Sequence, residues 1–166
     1  MRLETPRLLI RDWRLEDADE AFKIYGDPDV MRYVGTGESH KSVEQTRERL
    51  AKVIERDRGQ ALGFWAAETL EGTLIGGALL NTLPDGSDVE VGYHLGKQWW
   101  GKGYATELAQ ALVKYGFEAV GLMKIVGVTY PENIASQRVL EKAGLMHKGQ
   151  SLYGEIPVEF FELDRP

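Results

Sequence analysis

Val89-Glu90-Val91-Gly92-Tyr93-His94-Leu95, running directly into Gly96-Lys97-Gln98-Trp99-Trp100-Gly101-Lys102-Gly103-Tyr104-Ala105-Thr106, changes its hydrophobic period halfway. Val89, Val91, Tyr93 and Leu95 alternate onto one face, the pattern of a half-buried strand. Beyond the turn, Ala105, Leu108, Ala109, Leu112, Gly116, Phe117 and Val120 recur at three- and four-residue steps, as the buried stripe of a helix requires. The turn between them carries Gly101 and Gly103. A helix entered in this way leaves its first amides without intrahelical acceptors, and the positive end of its dipole points the same way. Such a point suits phosphate. The two glycines remove Cβ atoms that would block close approach, and they permit positive φ.

Three phosphate-binding patterns compete for this turn. A nucleoside-triphosphate loop needs G-x-x-x-x-G-K-S/T, and Gly96 and Gly101 have the right separation, but Lys102 is followed by Gly103 instead of a hydroxyl residue for magnesium. A dinucleotide turn needs G-x-G-x-x-G, and the run from Gly101 ends on Thr106. The third pattern, Q/R-x-x-G-x-G/A, is met in full by Gln98, Gly101 and Gly103. With it the chain resembles the GNAT superfamily of N-acetyltransferases, in which this turn holds the pyrophosphate of acetyl-coenzyme A.

A second signature strengthens the resemblance. Asn133-Ile134-Ala135-Ser136-Gln137-Arg138-Val139-Leu140-Glu141-Lys142-Ala143-Gly144-Leu145 is similar to the superfamily's N-x-x-S-x-x-V/L-x-x-K-x-G-F/L, in the right order along the chain. The opening Glu4-Thr5-Pro6-Arg7-Leu8-Leu9-Ile10-Arg11, with Glu16-Asp17-Ala18 after it, resembles the RimJ/RimL-like branch, whose members acetylate the N-termini of ribosomal proteins. The likeness runs over nearly the whole chain. It is specific for fold and cofactor and loose for the acceptor, because the branch also acts on small amines and antibiotics.

The composition agrees with one soluble globular domain, and the resemblance implies that residues 1–166 form an N-acetyltransferase domain. Apolar residues make up 43% and charged residues 28% of the 166, and no run approaches the ~18 apolar residues that would cross a bilayer. The first residues show no apolar run before a small-residue cleavage site, so no secretory signal is expected. With no cysteine, there is no disulfide, thiolate metal site or acetyl-cysteine intermediate, which fits a reducing cytoplasm. The net charge of −6 argues against a general nucleic-acid binder. No membrane partner is expected, and the protein should act as a monomer or homodimer. His40, His94 and His147 are scattered without ligand spacing, so no metal site is expected.

The rest of the chain reads as an α/β domain. Strands are expected at residues 7–14, 62–69, 74–82, 89–95 and 124–130, with a closing hairpin of 146–152 and 157–163. Glu71-Gly72 and Pro84-Asp85-Gly86-Ser87 turn between strands. Helices are expected from residue 15 to Tyr25 with the stripe Ala18, Ala21, Phe22 and Tyr25, from the capping box Ser42-x-x-Gln45 to about residue 58, from Ala105 to Val120, and from Asn133 to Ala143. Residues 29–33 make a short helical turn, and Gly144 stops the last helix. Together with the resemblance this implies a mixed, mostly antiparallel sheet of about seven strands, splayed at its middle and flanked by about four helices.

The resemblance also assigns roles. Gln98, Gly101, Lys102, Gly103, Tyr104, Ala105 and Thr106 would bind the pyrophosphate, and Tyr93, His94 and Leu95 would offer a strand edge to the peptide-like pantetheine. Gly92 beside that edge would mark a bulge that opens it. The acceptor amine must shed a proton, and Glu90, on the face opposite Val89, Val91 and Tyr93, is the candidate base, acting through water; His94 lies on the same face. The superfamily's usual acid, a tyrosine, is replaced here by Leu140. Ser136 is the substitute proton donor, with Tyr153 or water as alternatives, and Asn133 would cap its helix and touch the pantetheine. Without cysteine, direct transfer in a ternary complex is expected. Two other readings stay open: a non-catalytic acyl-coenzyme A sensor or adaptor, and an antibiotic or polyamine acetyltransferase. Trp99 and Trp100 are expected to pack beside the turn, and Trp13, Tyr25, Tyr33 and Trp65 to pack in the core.

Overall fold

A computed structural model describes residues 1–86 and 88–166, so the Ser87 end of the expected Pro84–Ser87 turn lies outside the described residues. Among the described residues, eight strands form a single sheet in the order β1-β2-β3-β4-β5-β6-β8-β7. They are β1 (Arg2–Glu4), β2 (Leu8–Arg11), β3 (Gly63–Thr69), β4 (Leu74–Thr82), β5 (Val89–Leu95), β6 (Lys124–Thr129), β7 (Met146–Tyr153) and β8 (Ile156–Asp164). Among the described residues five α-helices flank it: α1 (Ala18–Tyr25), α2 (Pro28–Met31), α3 (Val43–Asp57), α4 (Tyr104–Tyr115) and α5 (Ile134–Lys142). The strand beyond the expected set is the edge strand β1, and the short helical turn expected at residues 29–33 is α2, one residue earlier in its start, capped by Asp27 with Pro28 in its first turn.

Every neighbouring pair is antiparallel except β5 and β6, which run parallel and meet in register at Glu90↔Val126. From that pair the strands diverge, so the sheet is splayed at its middle as expected. The splay needs no bulge at Gly92, because the β4–β5 register runs unbroken from Thr82↔Val89 to Gly76↔Leu95. Gly92 has another use: a Cβ there would lie 3.0 Å from Leu79 Cγ, so the missing side chain gives Leu79 room. The register shift in this half of the sheet falls between Ala67 and Glu68, in the β3–β4 ladder.

Two apolar clusters cover the two faces of the sheet. The larger joins β2–β6 and β8 to α4 and α5 through Leu8, Ile75, Leu80, Leu108, Leu112, Ile125, Leu140 and Phe161. Leu108, Ala109, Leu112 and Val113 form the buried stripe of α4. At Gly116 the helix comes so near β6 that a Cβ would sit 2.7 Å from Ile125 Cδ1. There the regular helix gives way to one wide π turn, Gly116–Val120, ended by Gly121 at φ 80°. The smaller cluster packs α1, α2 and α3 on the other face with Trp13, Tyr25, Val30, Met31 and Leu50. In α1 the buried stripe uses Ile24 where Phe22 was expected. Ser42 caps α3 by accepting from Gln45 N–H at 3.1 Å, while Gln45 reaches one residue further back, to Lys41 N–H at 2.6 Å. Among the described residues no helix is long and apolar enough to cross a membrane.

Candidate active site

The parallel pair sets the site. Beyond Glu90↔Val126, β5 leads through a 3-10 turn (Lys97–Trp99) and Gly101–Gly103 into α4, and β6 leads through Pro131–Asn133 into α5. The N-termini of two helices therefore follow the carboxyl ends of two diverging parallel strands, the place where open α/β sheets take their ligands.

The glycine turn has the expected shape. Gly101 has φ 71°, and Gly103, the N-cap of α4, has φ 81° and ψ 2°. Both φ values lie in the left-handed region that costs glycine little. Among the described residues nothing lies within 4 Å of a Cβ placed on Gly101, so open space faces the turn at that point. The N-cap offers no side-chain acceptor to α4, whose first closing bond is Glu107 N–H to Gly103 O at 3.1 Å. Tyr104, Ala105 and Thr106 stand in the unsatisfied first turn, partly buried. Gln98 is exposed on the 3-10 turn, and the Lys102 ammonium lies 5.3 Å from the Trp99 ring centroid. Trp99 meets Tyr104 edge-on and packs beside the turn, while Trp100 is exposed and tied there by donating Nε1–H to the Leu95 carbonyl at 2.9 Å.

An N-terminal group also reaches this turn. The Arg7 guanidinium donates to Lys102 O at 2.9 Å and to Glu107 Oε2 at 2.7 Å, and stacks 4.4 Å above the Tyr104 ring. Glu107 Oε1 in turn accepts from Arg7 N–H at 2.9 Å and Thr5 Oγ1–H at 2.6 Å. These hydrogen bonds hold the Glu107 carboxyl below its ordinary range, against a burial effect that alone would raise it. Thr5 and Arg7 sit in the stretch that carries the branch resemblance, yet nothing in that stretch assigns them a role. Their partners lie some hundred positions away, where no local pattern points.

Glu90 and His94 share one face of β5, paired across to Asn81 and Gly77 of β4. Burial pushes the Glu90 carboxyl up to about 7 and the His94 imidazole down to about 4. At neutral pH Glu90 can therefore exchange a proton while His94 stays neutral. His94 is packed against Tyr25 and Phe64 at ring distances of 5.9 and 5.6 Å. Its Nδ1, the Tyr25 hydroxyl and Trp13 Nε1 are buried polar atoms without a hydrogen-bond partner among the described residues. Trp13, Tyr25 and Trp65 are core residues as expected, whereas Tyr33 is only partly buried and meets Tyr130 in a tilted contact at 5.4 Å.

The opposite face of β5 carries Tyr93, and its hydroxyl joins α5. Tyr93 Oη lies 3.0 Å from Ser136 Oγ and 3.1 Å from the Ser136 carbonyl oxygen, to which it can donate. Asn133 caps α5 by accepting from Ser136 N–H at 3.2 Å. Burial pushes the Tyr93 phenol far up, so it holds its proton. Leu140, one helical turn beyond Ser136, is 1% exposed and packs on β6, where a Cβ at Gly127 would lie 2.5 Å from Leu140 Cδ2. Strand phase alone places Tyr93 at the edge by its backbone; the side-chain link to Ser136 emerges only when α5 is folded back on the sheet. Tyr153, at the β7–β8 hairpin, has its pKa raised first by burial and then by the charges of Glu90 and Asp85. Among the described residues no group of three His, Cys, Asp or Glu is disposed to hold a metal ion.

A splayed parallel pair feeding two helix N-termini, one of them through a glycine turn, is the framework of an acetyltransferase. The chain belongs to the GNAT acetyltransferase family, whose acetyltransferase (GNAT) domain matches residues 7–146. It is 32% identical to an uncharacterized N-acetyltransferase, p20, of Bacillus licheniformis, across 97% of this chain and 94% of that one. The structure of a GNAT-family acetyltransferase from Bacillus anthracis superimposes with a TM-score of 0.84 at 28% identity, covering 99% of both chains. RimL, a ribosomal L7/L12 alpha-N-protein acetyltransferase solved with coenzyme A, shares the fold at a TM-score of 0.83 and 14% identity, covering 99% of this chain and 98% of that one.

Proposed function

We propose that residues 1–166 form a cytoplasmic acetyltransferase unit that moves the acetyl group of acetyl-coenzyme A to a primary amine by direct transfer in a ternary complex. The favoured acceptor is a protein N-terminus, as in the RimJ/RimL-like branch. The observation that carries the reading is the open, double left-handed turn at Gly101 and Gly103, set where β5 parts from β6. A Cβ on Gly101 would project into the open space that faces the turn, whereas one on Gly103 would lie 3.4 Å from Arg7 Nη2, and unpaired amides at a helix start are the usual recognition of a pyrophosphate. Gln98, Lys102, Tyr104, Ala105 and Thr106 flank it, and the backbone of Tyr93, His94 and Leu95 offers the edge for a peptide-like arm.

Acetyl-coenzyme A, when bound, supplies an acetyl thioester. Glu90, with its carboxyl near neutrality, receives the proton that the acceptor ammonium sheds, through water. Ser136 presents its hydroxyl from the first turn of α5, where the helix dipole favours a developing negative charge. Tyr93 and Asn133 hold Ser136 in place, one at its hydroxyl and one at its amide. Because Tyr93 keeps its proton, the pair remains a donor toward the departing sulfur and is not itself a base.

The test pairs calorimetry with an acceptor screen. Acetyl-coenzyme A should bind the purified protein, and peptides beginning with Ala or Ser should be acetylated faster than polyamines or aminoglycosides. No binding at millimolar ligand would sink the cofactor assignment, and faster turnover of aminoglycosides or polyamines would move the acceptor to that class. Gly103→Val should weaken coenzyme A binding in a folded protein, since its φ of 81° disfavours a branched side chain. Unchanged affinity would put the pyrophosphate elsewhere.

A further inference from the structure

The geometry points to Arg7 as the residue that sets the direction of the Gly103 amide in the cofactor turn. This rests on the pyrophosphate lying at that turn. Gly103 adopts φ 81° and ψ 2°, the values of the third residue of a type II turn, with Lys102 before it. Types I and II differ by a half-rotation of the central peptide, here the one joining Lys102 to Gly103. In a trans peptide the carbonyl and the following N–H point in opposite directions. Fixing the Lys102 carbonyl therefore fixes the Gly103 N–H.

Arg7 does this fixing. One guanidinium nitrogen binds Lys102 O at 2.9 Å, and another is tied to Glu107 at 2.7 Å. Glu107 is also held by Arg7 N–H and the Thr5 hydroxyl, and the guanidinium rests on the Tyr104 ring. The cation is thus immobilised from both sides before it meets the turn. With the carbonyl turned toward Arg7, the Gly103 N–H faces away from it, together with the other free amides at the start of α4. A flipped peptide would replace that donor with a carbonyl oxygen, which repels phosphate. Thr5, Arg7 and Glu107 are positioning residues on this view, acting on the ligand through the backbone of the turn.

The experiment is a cycle with coenzyme A as the probe, read by calorimetry. Arg7→Ala should weaken binding about 10- to 100-fold, the value of one hydrogen bond from a charged donor. Arg7→Lys, which keeps a cation beside Glu107 but lacks the fork that reaches both partners, should lose a comparable factor and guards against a folding defect in the alanine variant. Lys102→Pro supplies the rescue, because Pro followed by Gly favours a type II turn without help. That change removes one amide and should weaken binding by itself, yet in its background Arg7→Ala should cost threefold or less, as ~0.65 kcal/mol of remaining dependence would allow. Equal losses from Arg7→Ala in the wild-type and Lys102→Pro backgrounds would mean that Arg7 acts by charge or by fold, and would overturn the proposal. So would equal affinities of wild type and Arg7→Ala. If wild type itself fails to bind coenzyme A, the cofactor assignment falls, and this inference with it.

Discussion

Glu90 is the residue on which the chemistry turns, and its burial makes two measurable claims. Burial raises its pKa from 4.5 to about 7, so the folded protein holds this proton more tightly than the unfolded chain does. The advantage is whole below pH ~4.5 and is lost as pH rises through ~7, where folding must bury a carboxylate. Glu90→Gln removes that cost: the variant should be more stable than wild type at pH 8, by an amount on the order of 3 kcal/mol in urea unfolding, with the gap closing near pH ~4.5. As the base, Glu90 should also give wild type a kcat/KM that climbs with pH to a plateau above ~7, and Glu90→Gln should flatten that limb. Ser136→Ala should lower kcat on the order of a hundredfold, and Tyr93→Phe less, with the double variant no worse than Ser136→Ala if the two hydroxyls act as a unit. Additive losses would separate them. At this scale the sequence was legible where a residue's type and strand phase were enough, as for Glu90 and His94 on one face. It was silent on Arg7 and on the Tyr93–Ser136 hydroxyl pair, because each joins elements distant in sequence.

At the scale of elements, the strong periodic signals survived folding. β4 and β5 have the expected bounds, α5 has the expected cap, and α4 buries Leu108, Ala109 and Leu112 of its expected stripe together with Val113, while Ala105 and Val120 at the ends of that stripe are only partly buried. What the periods did not show was short or tertiary in origin. β1 is three residues long and owes its existence to β2 beside it, and the π turn after α4 answers the approach of Gly116 to Ile125. Gly76 is the sharpest case: a Cβ there would lie 2.9 Å from the carbonyl carbon of His94, closer still to its oxygen, and 3.0 Å from Leu95 Cα. These are backbone atoms that no rotamer change can move. Gly76→Ala should therefore cost more than ~3 kcal/mol in urea unfolding and loosen β5 where the pantetheine edge is proposed. The same logic bears on the missing tyrosine: with Leu140 wedged on Gly127, Leu140→Tyr should destabilise by about 1–3 kcal/mol rather than restore a donor. A gain in turnover without that loss would contradict the packing.

Over the whole molecule, the N-terminal half is tied together by Arg11, whose guanidinium makes a bidentate pair with Asp17 at 2.9 Å and a further pair with Glu68 at 2.8 Å. Both carboxylates raise its pKa against burial, with the Asp17 hydrogen bond the largest cause. Arg11→Ala would strand two partly buried acids, and should cost about 3–5 kcal/mol in urea unfolding. A loss under ~1 kcal/mol would show that water reaches the network freely. The centre of the sheet is held more loosely, since β5 and β6 share one register pair among the described residues. The amide protons of β5 that face β6 therefore lack the ladder that shields those facing β4. In deuterium oxide, the labile protons of residues 91–95 should fall into two kinetic populations, fast and slow, within a single strand. A ligand that lays a peptide-like arm along that edge should slow the fast population alone. The split sheet thus serves as its own footprinting reagent, reporting occupancy proton by proton even before an acceptor is known.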